Sequence, residues 1–312
     1  TEKVSSFDIS LPAIEGDDPF DGSKAYIDMV AGRMKWYEGD NVMMYSIDAE
    51  YTNSEVQEFV GDATTGAAVG HFTGSLMTEG SEGFFAFYPA SKASTKITEG
   101  NRAYFTVGET QTHVTDLFAN TSMAGRIFMD PRGFVGAATC DVIEPYAIFD
   151  LKHIFGYINV RVKDGNNSGK NLKSITITDN NKFLTGSMSV QIPALKSADL
   201  DAMKQLGVNY KANGNIDAYL PAMNQKLQQI GYMAEGNGHS VTLNCSNATT
   251  IDGNYKYFLI PLRPGSLMGE FTVTLAFDNA DDFVVTPNDK RYISIPGYYT
   301  NVSIDLKSGL IQ

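Results

Sequence analysis

Four histidines and two cysteines are the side chains of this 312-residue chain with the widest capacity for chemistry. The histidines are scattered, and no two of them stand at a spacing that metal ligands use: His71, His113, His153 and His239. The Gly-x-Ser-x-Gly turn of many serine hydrolases is absent from the sequence. We therefore expect no catalytic, cofactor-binding or metal-binding residue, and we expect a structural role for His153 at the entry of a strand.

Three loops suit phosphate or calcium only superficially. The stretch Gly165–Lys170 (GNNSGK) is one residue too short between its glycines for a phosphate loop, and Asn171 stands where Ser or Thr would hold magnesium. A hairpin turn is the better interpretation. Neither acidic cluster follows the twelve-residue calcium-loop pattern, so we interpret both as solvated turns: Glu15, Asp17, Asp18 and Asp21, and then Asp278, Asp281 and Asp282.

Length, charge and cysteine content narrow the class of protein. A chain of 312 residues suggests about two domains. The net charge of −12 argues against nucleic acid and against anionic membrane surfaces, because both attract clustered Lys and Arg. Cys140 and Cys245 could form a bridge, but we expect two separate thiols packed as small hydrophobic groups. No apolar run approaches the roughly 20 residues that span a bilayer. A chain that begins at Thr1 without a signal sequence is either cytosolic or a processed export product.

The clearest structural element predicted from the sequence begins near the middle of the chain. Within Ala147–Val162 (AIFDLKHIFGYINVRV), apolar and polar side chains alternate with a period of two, which indicates a half-buried strand. Glu144-Pro145 just before it is a candidate hinge. We therefore predict two domains, residues 1–145 and residues 146–312.

Short alternating strands dominate the rest of the chain. Phe7, Ile9 and Leu11 alternate with polar residues before a proline, whereas glycines punctuate residues 61–83. Only residues 197–233 carry apolar side chains at helical spacing, which predicts one or two short helices. The pattern predicts an all-β fold of antiparallel sandwiches with a helical insertion in the second domain.

Five short motifs, in order, resemble the fimbrillin-like proteins of the Bacteroidales, the type V surface pilins. They are a tryptophan followed by Gly-Asp and a strand, an aromatic strand ending in Tyr-Pro, a Leu-Lys-His strand entry, an Ile-Thr-Ile and Leu-x-Gly unit, and a Gly-Tyr turn before the last strand. In this chain the motifs are Trp36–Val42, Phe84–Pro89, Leu151–His153, Ile175–Ile177 with Leu184–Gly186, and Gly297–Tyr299.

The resemblance implies two tandem transthyretin-like sandwich domains and a place on the outer membrane and in an extracellular pilus. Members of that family are exported as lipoproteins, which implies a lipidated cysteine upstream of Thr1 and a membrane contact through that anchor only. A protease then cuts after a basic residue beyond the first strand, and the strand leaves. A strand from a neighbouring pilin subunit fills the groove by strand exchange.

The resemblance also assigns residues to these steps. The displaced strand would carry Phe7, Ile9 and Leu11. The processing site would be Lys24 or, as a second choice, Arg33, and a lysine there departs from the arginine that the family often shows. The candidate donor strand would carry Val302, Ile304 and Leu306. Because only six residues follow Leu306, the subunit could instead stand at a pilus end, as a tip or accessory subunit that carries adhesion.

Two other functions stay open at this stage. A non-polymerising surface glycan-binding lipoprotein is the alternative, with host or bacterial glycans or proteins as partners. Its sugar platform would be sought at Trp36-Tyr37 or Tyr298-Tyr299, because aromatic rings stack on sugars. An unrelated enzyme on a β-sandwich is the third, and nothing positive in the sequence supports it.

Overall fold

The computed structural model describes residues 3–10, 15–16, 36, 39–48, 55–62, 69–77, 81–88, 90, 102–113, 136–140, 148–191, 197–265, 271–287 and 292–311. The strands of its first half are β1 (Lys3–Ser10), β2 (Glu15–Gly16), β3 (Asn41–Asp48), β4 (Glu55–Gly61), β5 (Val69–Met77), β6 (Ser81–Tyr88), β7 (Arg102–Val107), β8 (Thr110–His113) and β9 (Gly136–Cys140).

The second half opens with four strands and two helices, which are β10 (Ile148–Asp150), β11 (Lys152–His153), β12 (Gly156–Lys163), β13 (Lys170–Thr178), β14 (Thr185–Gln191), α1 (Ser197–Asn213) and α2 (Ile216–Gln229). It ends with β15 (Met233–Gly238), β16 (Ser240–Ile251), β17 (Lys256–Leu262), β18 (Thr272–Phe277), β19 (Phe283–Val285), β20 (Tyr298–Asp305) and β21 (Gly309–Ile311). The predicted all-β fold with a helical insertion in the second half is confirmed.

Four sheets contain all these strands. The largest has the order β10-β1-β5-β4-β3-β6-β9-β11. The others are β17-β12-β20-β2, with β21 also on β20, then β19-β18-β13-β16-β8, and finally β15-β14-β7. Most pairs are antiparallel, and the parallel pairs are β1 with β10, β12 with β20, β16 with β8 and β2 with β20.

The first hydrophobic core lies under the largest sheet and is rich in aromatic residues. Phe7, Trp36, Phe59 and Phe72 belong to it, together with apolar residues of both helices. Helix α2 begins at an Asn215 cap whose side chain accepts the Ala218 N–H at 3.2 Å. The helices are therefore part of this core, and each buries one apolar stripe against it.

The second core lies between the β12 sheet and the β13 sheet. Ile158, Val160 and Val162 of β12 point into it, as the period-two alternation predicts. Residues of β13, β17, β18 and β20 complete a sandwich of aliphatic side chains. The first core takes residues from both sides of residue 145, whereas the second takes residues of the second half. The division into two domains near residue 145 and the transthyretin-like topology stay predictions.

Strands pair across that predicted boundary in both directions. From the first half, β7 pairs with β14, β8 pairs with β16, and β2 pairs with β20. From the second half, β10 and β11 join the largest sheet. The sheets therefore do not follow the order of the chain.

The turn at residues 164–169 joins strands of different sheets. Asn167 (φ 51°) and Gly169 (φ 71°) adopt the left-handed conformation that a tight turn requires. The predicted hairpin is wrong, because β12 pairs with β17 and β20 whereas β13 pairs with β16 and β18. Asp305 accepts hydrogen bonds from the Gly165 and Lys307 N–H groups at 2.8 and 3.0 Å, which ties this turn to the end of β20.

Candidate functional site

Strand β1 is held on both sides within the largest sheet. It runs antiparallel to β5, with Phe7 opposite Phe72 and Ile9 opposite Gly70. It runs parallel to β10, with Ile9 opposite Phe149. The side chains of Phe7 and Ile9 are buried, whereas the alternating side chains of Ser6, Asp8 and Ser10 are exposed or half-buried. The first strand thus contributes two apolar side chains to the first core while its backbone pairs with two neighbours.

Phe7 lies in an aromatic pocket. Its ring centroid is 5.4 Å from that of Phe59 on β4 and 5.3 Å from that of Phe84 on β6. Tilted and edge-on ring pairs at this separation are favourable beyond the area that they bury. The pocket is therefore formed by strands other than the two that pair with β1.

A buried tryptophan contacts the backbone of β1. The Trp36 indole N–H donates to the Ile9 carbonyl oxygen at 2.8 Å, and the side chain is fully buried. Its ring packs edge-on against Phe72 and Tyr88, at 4.8 and 5.0 Å between centroids. Because the acceptor is a main-chain oxygen, this contact depends on the position of β1 and not on the side chain that β1 carries there.

On the outer face of the sheet, a polar pair links β1 to β5. His71 Nδ1 lies 2.7 Å from Asp8 Oδ1, and the two residues stand directly opposite each other in the strand register. Both side chains are about half exposed, at 47% and 51%. An exposed pair of this kind contributes little stability, of the order of 0–1 kcal/mol.

Two glycines of β5 make room for aromatic rings of the first core. A Cβ at Gly74 would lie 2.5 Å from the Phe59 ring, and one at Gly70 would lie 2.7 Å from the Phe72 ring. These glycines therefore lie within a paired strand, although the sequence pattern treats glycines in this region as breaks. No pattern in the sequence indicates the contact of Trp36 with Ile9 or of Asp8 with His71.

Several residues assigned by the resemblance lie outside the described residues. These are Leu11, Lys24 and Arg33. The predicted donor residues Val302, Ile304 and Leu306 are buried in the second core. Strand β20, which carries the first two, lies between β12 on one side and β2 and β21 on the other.

The aromatic residues considered as a sugar platform are buried where the structure describes them. Trp36 is fully buried, and Tyr298 and Tyr299 are only 9% and 5% exposed. The Tyr299 ring lies directly against Gly16 of β2, where a Cβ would overlap it. Stacking on a sugar needs an accessible ring face, so a glycan platform on Trp36, Tyr298 and Tyr299 is contradicted. Tyr37 lies outside the described residues.

His153 and its neighbour Tyr157 form a buried pair. His153 Nδ1 lies 2.7 Å from the Tyr157 hydroxyl oxygen, and the two rings are edge-on. Burial raises the pKa of Tyr157 well above its ordinary value. These contacts fix the entry of β12, as expected for a structural histidine.

The remaining reactive side chains of the described residues carry no sign of a reaction centre. Burial raises the pKa of the Cys245 thiol to about 11, so this thiol stays protonated at neutral pH. The side chain of Cys140 lies outside the described residues. Within the described ranges, no three His, Cys, Asp or Glu side chains are placed to share a metal ion, and neither helix could cross a bilayer.

Comparison with known proteins gives structural matches only. The chain matches no family model, and it matches no curated protein. It is similar to a candidate cell adhesion protein from Bacteroides ovatus, with a TM-score of 0.51 and 13% identity over 98% of this chain and 94% of that chain. This likeness shows that the chain has the same fold over nearly its whole length.

Two further solved structures match with lower scores. A candidate cell adhesion protein from Bacteroides uniformis has a TM-score of 0.45 and 10% identity, over 99% of this chain and 96% of that chain. A fimbrial assembly protein from Parabacteroides distasonis has a TM-score of 0.35 and 10% identity, over 99% and 94%.

Proposed function

We propose that this chain is a structural or adhesive subunit of an extracellular fibre, and not an enzyme. In this proposal its first strand is exchanged for a strand from a neighbouring subunit. The observation that carries the proposal is the position of β1 between β5 and β10, with Phe7 and Ile9 filling the first core. The fold shared with the candidate adhesion protein from Bacteroides ovatus supports it.

The departure of β1 would leave a groove that favours a replacement strand. The backbone N–H and C=O groups of β5 and β10 would lose their partners, and unmatched backbone groups are costly away from water. The Trp36 N–H would also lose its acceptor. An incoming strand restores all of these hydrogen bonds through its main chain, and its alternate side chains refill the two apolar positions.

Proteolysis is the proposed trigger. The cut would follow Lys24 or, as a second choice, Arg33, since both lie between β1 and the buried Trp36. Fimbrillin-like proteins often carry an arginine at this site. A lysine would require a protease that also cuts after lysine. The precursor would reach the cell surface as a lipoprotein, anchored to the outer membrane by a lipidated cysteine upstream of Thr1.

The position of β20 supports a role at the end of a fibre. Val302 and Ile304 are fully buried in the second core, and β20 pairs with β12 along its length. Donating this strand would therefore open the second core. A tip or accessory subunit accepts a strand without donating one, so β20 would stay in place.

Native proteolysis tests the proposal. Trypsin treatment of the folded chain should cut after Lys24 and release the β1 segment, and size-exclusion chromatography should then show oligomers, either of this chain or with an added partner subunit. Lys24→Ala is the matched variant, and in it cleavage should move to Arg33 or stop. Complete cleavage with loss of β1 and no association with any subunit would refute strand exchange.

A further inference from the structure

The junction between the two halves closes the largest sheet. Strands β10 and β11 stand at opposite ends of its strand order, yet only Leu151 separates them in the chain. Residues 148–150 pair with β1, and residues 152–153 pair with β9. The sheet therefore curls until its two ends meet at one continuous segment, residues 148–153, which we name the junction segment.

Among the described strands, the first part of the junction segment pairs with β1 alone. Asp8, Ile9 and Ser10 stand opposite Ile148, Phe149 and Asp150 in a parallel ladder. The Leu151 N–H extends that ladder by donating to the Ser10 carbonyl oxygen at 3.0 Å. Without β1, the backbone groups of residues 148–151 on this side would have no strand to pair with in the described part of the sheet.

The other end of the junction segment is fixed to the second half of the chain. His153 contacts the Tyr157 hydroxyl, and the Phe155 carbonyl oxygen accepts the Gly297 N–H at 3.0 Å. The chain then continues directly into β12, a central strand of the second sandwich. A loss of pairing at residues 148–151 therefore ends only two residues before His153, which is anchored to the second half.

We propose that β1 acts as a clip on the junction segment. Release of β1 frees residues 148–151, and insertion of a strand in the same direction pairs with them again. The backbone pairing of the junction segment, which connects the two halves, thus depends on whether a strand occupies the groove. The release step rests on the proposed function, but the clip itself is a property of the intact chain.

Hydrogen exchange of the intact chain tests the clip. Ile9→Ala removes a buried side chain of β1, so amide exchange in residues 3–10 should rise about 30-fold or more. Within residues 148–151, the amides that point to β1, that of Leu151 among them, should accelerate by a similar factor, because they lose protection in the same opening event. The matched control is Ile177→Ala in the second core, which should change exchange at residues 148–151 by less than about twofold.

A cross-strand disulfide tests the same link in the opposite direction. Ser10 and Val69 stand opposite each other on β1 and β5, so Ser10→Cys with Val69→Cys can fasten the strand. Oxidation should slow exchange at residues 148–151 about tenfold relative to the reduced form. This variant keeps the test valid if Ile9→Ala fails to fold.

The clip is refuted if residues 148–151 exchange at the wild-type rate while residues 3–10 accelerate, or if oxidation leaves residues 148–151 unchanged. Neither experiment involves cleavage or assembly. A negative result therefore leaves strand exchange standing, whereas cleavage without association would refute strand exchange and leave the clip standing.

Discussion

Truncation of Phe7 is the most informative single change in the first core. Phe7 is 5% exposed, and its ring centroid lies 5.4 Å from that of Phe59 and 5.3 Å from that of Phe84. Replacing a buried Phe by Ala costs about 3–5 kcal/mol, since the transfer term and the remaining cavity add. Ring pairs of this geometry account for about 0.5–1.5 kcal/mol each within that loss. We expect Phe7→Ala to lower the free energy of unfolding by this amount.

Urea unfolding followed by intrinsic fluorescence is the appropriate measurement. Trp36 is the single tryptophan of the chain, and it is buried in the first core beside β1. Its emission therefore reports on the part of the molecule that Phe7 supports. The midpoint should fall with little change in the slope of the transition, which indicates lost stability and not a changed unfolded state.

Asp8→Ala is the matched control, because Asp8 is the next residue of β1 and points to the exposed face. Its pair with His71 is exposed, so its loss should cost no more than about 1 kcal/mol. If Phe7→Ala shifts the midpoint no further than Asp8→Ala does, then β1 does not fill the first core. The reasoning behind the proposed exchange would then fail with it.

Three other predictions follow from buried groups. The Tyr219 hydroxyl is buried without a hydrogen-bond partner among the described residues, so Tyr219→Phe should leave thermal stability unchanged or raise it. Tyr157→Phe, which removes the hydrogen bond with His153, should lower stability by about 1 kcal/mol. Gly74→Ala should lower the free energy of unfolding by about 1–3 kcal/mol, because the new Cβ would overlap the Phe59 ring. Gly253→Ala is the control: the space around Gly253 is open, so this variant should unfold at the wild-type urea concentration.

The third prediction concerns the dependence of stability on pH. Hydrogen bonds from the Lys307 and Gly165 amides lower the pKa of Asp305 below its ordinary value of 3.8. Its contribution to stability is therefore complete above that value and is lost as the pH falls through the lowered folded-state pKa. Asp305→Asn should show a smaller loss of stability on acidification below pH 3.8 than the wild type. An identical acid dependence of the two proteins would contradict this assignment.

The sequence predicts secondary structure most reliably where one hydrophobic period extends over many residues. The strand after Gly156 alternates cleanly because one of its faces packs into the second core, and α1 and α2 show their apolar stripes for the corresponding reason. Strand β5 escapes prediction because Gly70 and Gly74 occupy inward positions, where the Phe72 and Phe59 rings fill the space. A missing side chain in a strand carries no hydrophobic signal.

The site itself could be predicted only in part. The alternation at Phe7 and Ile9 indicates a strand, and the structure gives it two partners. The contact of Trp36 with Ile9 spans 27 residues of chain, and no local pattern encodes it. The sequence pattern does not indicate which strands pair with each other either. The predicted hairpin would have paired β12 with β13, but these strands lie in different sheets. The period of a strand reports its buried face and not its neighbours.

The strands shared between the halves have a practical consequence for dividing this molecule. A fragment ending at residue 145 would carry β7 and β8 without the strands that they pair with. The complementary fragment would lack β7, β8 and β1, which pair with β14, β16 and β10. Each piece would expose bare sheet margins of the kind that drive aggregation. Gene fusions and expression fragments derived from this chain should therefore retain both halves in one polypeptide.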